Sequence, residues 1–248
     1  SRKERKNNMG TSSSYKGPNG KHPLLPDDFG DGWADLKSEM SKFLSGSRQN
    51  SSKRILNKYV KANGGTQALT RRSKSGVSAL GGFISFLNNA QSIGVIDSFR
   101  QLNIEFDSES PSSAFSQLAN KLGAAGDFKE DIAAREALLV ASSKLYDLME
   151  KQDIDFETPL SELSEDFLLE GLKIYSSELI VAMVLNDLGA SFEKYGDNTD
   201  LVIQQENEIR DYIRASVDVT LNVVGLSGNP ERIAQKIIIS CYEIFVEE

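Results

Sequence analysis

Phe167-Leu168-Leu169-Glu170-Gly171-Leu172-Lys173-Ile174-Tyr175-Ser176-Ser177-Glu178-Leu179-Ile180-Val181-Ala182-Met183-Val184-Leu185-Asn186-Asp187-Leu188 is the stretch that decides the fold. Its apolar residues recur at four-residue steps: Leu168 to Leu172, Leu179 to Met183, Ile180 to Val184 to Leu188. That spacing lines one face of an α-helix. Upstream, Thr158-Pro159 reads as the helix opening, since proline is pre-organised for a first turn. Leu163 joins the same stripe.

Working outward, the pattern repeats. Asn229-Pro230-Glu231 caps a last helix carrying Ile233, Ile237, Ile238, Cys241, Ile244 and Phe245. Thr199 or Asp200 starts the one before, through Ile203, Ile209, Tyr212, Ile213, Val217 and Leu221. The β-like run Val217-Asp218-Val219-Thr220 sits inside that helical period. Asp127-Phe128-Lys129-Glu130 has capping-box spacing and opens a long helix with Ile132, Leu138, Leu139, Leu145 and Leu148. Ser110-Pro111 reads as a cap and first residue for a helix carrying Phe115, Leu118 and Leu122. Val95, Ile96, Phe99, Leu102 and Ile104 make a short helix or turn.

The front half reads the same way. Trp33, Leu36, Met40, Phe43 and Leu44 precede Gly46 as a stop. Ile55, Leu56, Tyr59 and Val60 form a stripe that Gly64-Gly65 ends, and a short helix covers Thr66 to Ser73. Val77 to Ala90 is apolar but contains Gly81-Gly82. Two glycines inside a helix cost about 1 kcal/mol each relative to alanine. Helix is expected there if another helix crosses closely, and a strand or turn remains the alternative. The expected fold is all-α: a multi-helix globular bundle of eight to ten helices over 33–248, with a subdomain seam near 107–110.

Residues 1–32 read differently. Ser, Gly, Asn and Pro dominate, and apolar residues are too few to offset the entropy of ordering. The expectation is a long disordered, basic N-terminal tail. It holds the Met9-Gly10 step, Thr11, Ser12, Ser13, Ser14 and Tyr15, then Pro23-Leu24-Leu25-Pro26. Such a tail has nothing to bury at home and is a candidate for capture by a partner; a plain solvated terminus is the alternative. Met9-Gly10-Thr11-Ser12-Ser13-Ser14 also fits the permissive N-myristoylation pattern.

Charge is unevenly spread. The net charge of −8 hides a front of residues 1–75 with 16 Lys+Arg against 6 Asp+Glu, and a rear of residues 76–248 with 12 against 30. Lys53, Arg54, Lys58, Lys61, Arg71 and Arg72 form the basic docking patch of that front, with Lys74 nearby. Phosphate binding, docking of an acidic protein and a solvated face all fit it. Aromatics are not interleaved apart from Tyr59, so single-strand stacking lacks support.

Catalytic signatures are missing from the sequence. One histidine, His22, and one cysteine, Cys241, make neither a triad nor a zinc site. Cys241 lies among isoleucines and reads as a buried, inert thiol, and a lone cysteine suits a reducing cytoplasm. Gly76 to Gly82 lacks the Lys-Ser/Thr ending of a phosphate loop. Glu162, Glu165, Asp166 and Glu170 read as a dipole-compensating first turn rather than an acid/base pair. No apolar run is long enough to span a membrane. The expectation is a non-enzymatic protein with no cofactor and no metal.

Met9-Gly10-Thr11-Ser12-Ser13-Ser14-Tyr15-Lys16-Gly17-Pro18 with Pro23-Leu24-Leu25-Pro26 resembles the N-terminus of the QatB family, from the bacterial Qat anti-phage system. The likeness continues through Tyr59-Val60-Lys61, Gly64-Gly65, Arg71-Arg72, Ser75-Gly76, Leu80-Gly81-Gly82-Phe83 and Leu102-Asn103-Ile104. It resumes at Ile209-Arg210-Asp211-Tyr212-Ile213-Arg214, and over 110–190 it is generic helix. The Ser1–Asn8 extension departs from it. The resemblance implies three partners: an ATPase, a TatD-like nuclease and a QueC-like deazapurine enzyme, QatC. Enzymes of the last class use ATP to activate a deazaguanine carboxylate and join it to an amine. The resemblance therefore implies an anti-phage subunit that docks QatC and presents the Met9–Tyr15 tail as substrate or guide. A nucleic-acid-binding helical module using residues 53–74 is the alternative.

Overall fold

A computed structural model describes residues 32–46, 51–123, 126, 128–154, 156–157, 165–194 and 199–247. Among them the chain forms ten helices and no strand. These are α1 (Gly32–Leu44), α2 (Ser52–Ala62), α3 (Thr66–Arg72), α4 (Lys74–Ile93) and α5 (Val95–Gln101), then α6 (Pro111–Leu122), α7 (Lys129–Lys151), α8 (Glu165–Lys194), α9 (Thr199–Val223) and α10 (Pro230–Val246). The all-α expectation is met. The tail residues 1–31, and with them Met9 to Tyr15, lie outside the described residues, as does the Thr158-Pro159 helix opening.

The doubtful segment, Val77 to Ala90, is helical throughout, and its glycines have the anticipated cause. A Cβ on Gly81 would stand 3.2 Å from the Glu231 Cα, so the first turn of α10 crosses α4 there. A Cβ on Gly82 would meet Leu122 of α6 at 3.1 Å, and one on Gly76 would run into Leu179 of α8. The helix-propensity cost is offset by three close crossings on one helix. α4 thus packs on α10, α7, α5, α8 and α6, while α8 packs on α7, α9, α4 and α1, and α10 on α4, α9, α2 and α3.

Each helix gives residues to one hydrophobic cluster, among them Leu36, Leu56, Leu69, Phe83, Phe99, Phe115, Leu138, Leu179, Ile213 and Ile237. Six aromatic rings, Phe86, Phe99, Phe106, Phe115, Tyr146 and Phe156, form one linked cluster. Phe99 meets Phe115 edge-on at 5.1 Å across the Asp107–Ser110 turn, and Phe106 lies 5.3 Å from Phe156. Each such pair adds about 0.5–1.5 kcal/mol beyond burial. The Phe156 carbonyl accepts from the Val95 and Ile96 amides, two donors that the start of α5 would otherwise leave unpaired.

Several local expectations are corrected. Phe128, not Asp127, occupies the cap position of α7, and the Glu130 carboxylate pairs with Arg72 instead of closing a capping box; Asp127 itself lies outside the described residues. Ser110 stands at the cap of α6 but its hydroxyl makes no capping bond, whereas Asn229 accepts from the Arg232 amide at 3.0 Å as expected. Ile132, Leu139 and Ile203 face solvent at 38%, 43% and 51% exposure, although they fall on the apolar period. Periodicity marks a face of the helix, and the neighbours decide how much of that face is covered.

Candidate functional site

α2 carries four of the six candidate basic residues. Ser51 caps it by accepting from the Arg54 amide, and Ile55, Leu56, Tyr59 and Val60 are buried. That orientation leaves Lys53, Arg54, Lys58 and Lys61 on the outer side. α1 runs beside it with acidic partners: Arg54 Nε lies 2.9 Å from Glu39, and Lys58 Nζ 3.3 Å from Asp35. The Lys58–Asp35 pair lies at the surface and is worth a few tenths of a kcal/mol, whereas the Glu39 carboxylate that Arg54 meets is buried.

Arg72 lies elsewhere. Its guanidinium grips both oxygens of Asp187 on α8 at 2.6 and 2.8 Å, donates from Nε to Glu130 on α7 at 2.6 Å, and donates to the Asn63 side-chain Oδ1 at 2.7 Å. Tyr59, fully buried, donates to the same Asp187 carboxylate at 2.9 Å. Its hydrogen bonds to the Asp187 carboxylate raise the Arg72 guanidinium further above its ordinary range. Burial, then the Asp187 charge, holds the Tyr59 phenol well above its own. A two-pronged Arg–carboxylate contact of this kind is rigid as well as strong. It ties α2, α3, α7 and α8 together and faces inward.

Arg71, one residue earlier, faces a groove of about 610 Å³ between α3, α4 and α10. Lys74 and Arg232 line the same groove. The structure therefore separates the six basic residues. Lys53, Arg54, Lys58 and Lys61 share the outer side of α2, Arg72 sits in a half-buried hub, and Arg71 belongs to the groove. Arg232 was not singled out by the sequence reading, and no local signal marks it. Nothing local announces the Arg72–Asp187 pair either, since 115 residues separate its members.

The described residues begin at Gly32, the first residue of α1. A Cβ there would stand 2.8 Å from the Ala62 Cα, so the chain enters the body pressed against the end of α2. Trp33 follows, edge-on to Tyr59 at 6.5 Å between ring centres. The entry point is thus fixed to the same helix that carries the basic face.

Cys241 is fully buried, 3.4 Å from the Thr220 hydroxyl, and burial pushes its thiol up to about 12. The thiolate is therefore scarce at neutral pH. Among the described residues, no group of three or more His, Cys, Asp or Glu side chains could hold a metal ion. No helix among them is long and apolar enough to cross a membrane.

The chain matches no curated protein and no solved structure. A family model described as Qat anti-phage system associated protein QatB matches residues 64–245, from the Gly64 turn between α2 and α3 almost to the end of α10. The match takes in Gly64-Gly65, Arg71-Arg72, the Gly76–Phe83 crossing region of α4 and Ile209 to Arg214, and it leaves the tail, α1 and α2 upstream. A match over most of the chain, on a helical body whose close crossings fall at the glycines it covers, makes this protein a member of the QatB family, associated with the Qat anti-phage system.

Proposed function

We propose that this chain is a non-enzymatic, cytoplasmic subunit of an anti-phage complex. Its helical body docks the QueC-like enzyme QatC and presents Met9 to Tyr15 to that enzyme as substrate or guide. The Qat ATPase and TatD-like nuclease are further partners in this reading. The observation that carries it is the fixed entry at Gly32: close packing on Ala62 ties the base of the tail to the body. A docked body then sets where Gly10 can reach. The 22 residue steps from Gly10 to Gly32 span up to about 75 Å when extended.

The chemistry proposed for Gly10 is amide formation. ATP adenylates a deazapurine carboxylate and pyrophosphate leaves. The glycine amine then displaces AMP and loses a proton as the amide forms. The Met9–Gly10 peptide bond must be hydrolysed first to free that amine. Glycine suits the task because it lacks a Cβ and enters narrow sites in conformations closed to other residues. The partner reading is also supported over nucleic-acid binding by charge pairing. Arg54, Lys58 and Arg72 already hold carboxylates, which a phosphate backbone would have to displace.

Mass spectrometry of the chain co-expressed with its neighbouring genes tests this. The expected result is added mass on Gly10 in the wild type and none in Gly10→Val, together with lost phage protection and an unchanged helical spectrum. An unmodified Gly10, with full protection by Gly10→Val, overturns the proposal.

A further inference from the structure

Arginines in this acidic body are nearly all paired. Of the eight in the described residues, Arg54, Arg72, Arg100, Arg210 and Arg214 hold carboxylates, and Arg135 is engaged too. Arg71 and Arg232 are the two without a partner among the described residues, and both line one groove. Lys74, equally unpaired there, is the third cation. The chain has 36 Asp+Glu against 28 Lys+Arg, so carboxylates are in surplus. Three unpaired cations from three different helices, converging on one concavity, leave it open to an anion from outside.

The remaining lining narrows the ligand. The groove's volume of about 610 Å³ falls among small-molecule sites, roughly 300–1,000 Å³. It leaves room well beyond one phosphate group. Gln67 and Gln235 offer amide donors and acceptors, and Val77 an apolar wall. Glu231 also lines it. A carboxylate repels a bare phosphate but accepts hydrogen bonds from the hydroxyl or amino groups of a larger ligand. Guanidinium groups, with two parallel donors each, suit phosphoryl oxygens.

We infer that the groove between α3, α4 and α10 binds a nucleoside phosphate. Its phosphoryl oxygens meet Arg71, Arg232 and Lys74, and its nucleoside lies toward Glu231 and the two glutamines. This site is independent of the tail and stands whether or not Gly10 is modified.

Calorimetric titration of the full chain tests it, with ADP, GDP, UDP and inorganic phosphate as separate arms. At least one nucleoside diphosphate binds about tenfold or more tightly than inorganic phosphate. Arg71→Gln with Arg232→Gln weakens that binding about tenfold or more, with helical content and melting temperature unchanged. Lys74→Gln alone serves as the second variant should the double substitution fail to fold. Glu231→Gln weakens nucleoside diphosphate binding and spares phosphate. Three results overturn the inference: no binding of any diphosphate at millimolar concentration, phosphate binding as tight as the nucleotides, or affinity indifferent to the arginine and lysine substitutions.

Discussion

Arg71 and Arg72 are neighbours in the chain and opposites in the fold. Arg72 lies in a hub where Asp187, Glu130, Asn63 and Tyr59 satisfy the surrounding polar groups. Arg71 faces the groove between α3, α4 and α10 with no partner among the described residues. The difference follows from the helix. Consecutive residues point about 100° apart, so one reaches α7 and α8 while the next faces α10. A run of like charges in sequence is therefore no guarantee of a common surface.

Removing the hub's central carboxylate should have the largest effect. Asp187→Ala leaves the Arg72 guanidinium and the Tyr59 hydroxyl without their shared acceptor. A loss of about 3 kcal/mol is expected, because the buried Tyr59 hydroxyl and two Arg72 N–H groups lose their acceptor while Glu130 still balances the charge. Urea denaturation measures it. A loss below about 1 kcal/mol would put the hub on a par with the surface Lys58–Asp35 pair.

The close crossings come next. Gly81→Val places methyl groups against the Glu231 backbone, where even a Cβ would stand 3.2 Å away. A cost of about 1–3 kcal/mol is expected from overpacking. The same substitution at Gly189, which has no atom within 4 Å of its Cβ position, should cost far less. Equal melting temperatures for the two variants would deny that α10 presses on α4.

A pH titration probes the interior that both regions share. Cys241 ionises near 9 when unfolded and is pushed up to about 12 when folded, because burial disfavours the thiolate. Its contribution is fully present below pH 9 and is lost as pH rises from 9 through 12. At pH 10 the thiol alone accounts for about 1 kcal/mol of lost stability. Tyr175 and Tyr242, also raised by burial, act in the same direction at higher pH. Chemical denaturation at pH 8 and pH 10 reads the difference. Fast labelling of native Cys241 by a thiol reagent at pH 8 would contradict its burial.

The smallest effect sharpens the comparison most. Arg71→Gln should change stability by no more than about 0.5 kcal/mol, since it breaks no contact within the described residues. A loss comparable to that of Asp187→Ala would mean that the groove, like the hub, holds the fold together. Urea denaturation of the two variants side by side decides between these.

Much of the helical layout was legible in the residues. The Gly46 and Gly64-Gly65 stops, the Asn229 cap and the stripes of α2, α9 and α10 all rest on contacts within about four residues. Gly81 and Gly82 could be suspected of hosting a crossing but could not name α10 or α6 as what crosses. Ile132 and Leu139 kept the period of α7 yet stayed exposed. Of the basic residues, Lys53, Arg54, Lys58 and Lys61 share a face because one helix carries them. Arg72 left that group because its partner Asp187 is 115 positions away.

Outside Val77–Ala90 and Val95–Ile104, helix identity came from the order of residues alone, because a helix closes its own hydrogen bonds and its apolar stripe repeats at its own pitch. Which charges stay free did not. Pairing depends on the angles at which α3, α7, α8 and α10 meet, and those angles are set by side chains interlocking across the whole core. Only once the helices had packed could Arg71, Lys74 and Arg232, from three separate helices, come to line one groove, while Arg72 turned inward to Asp187.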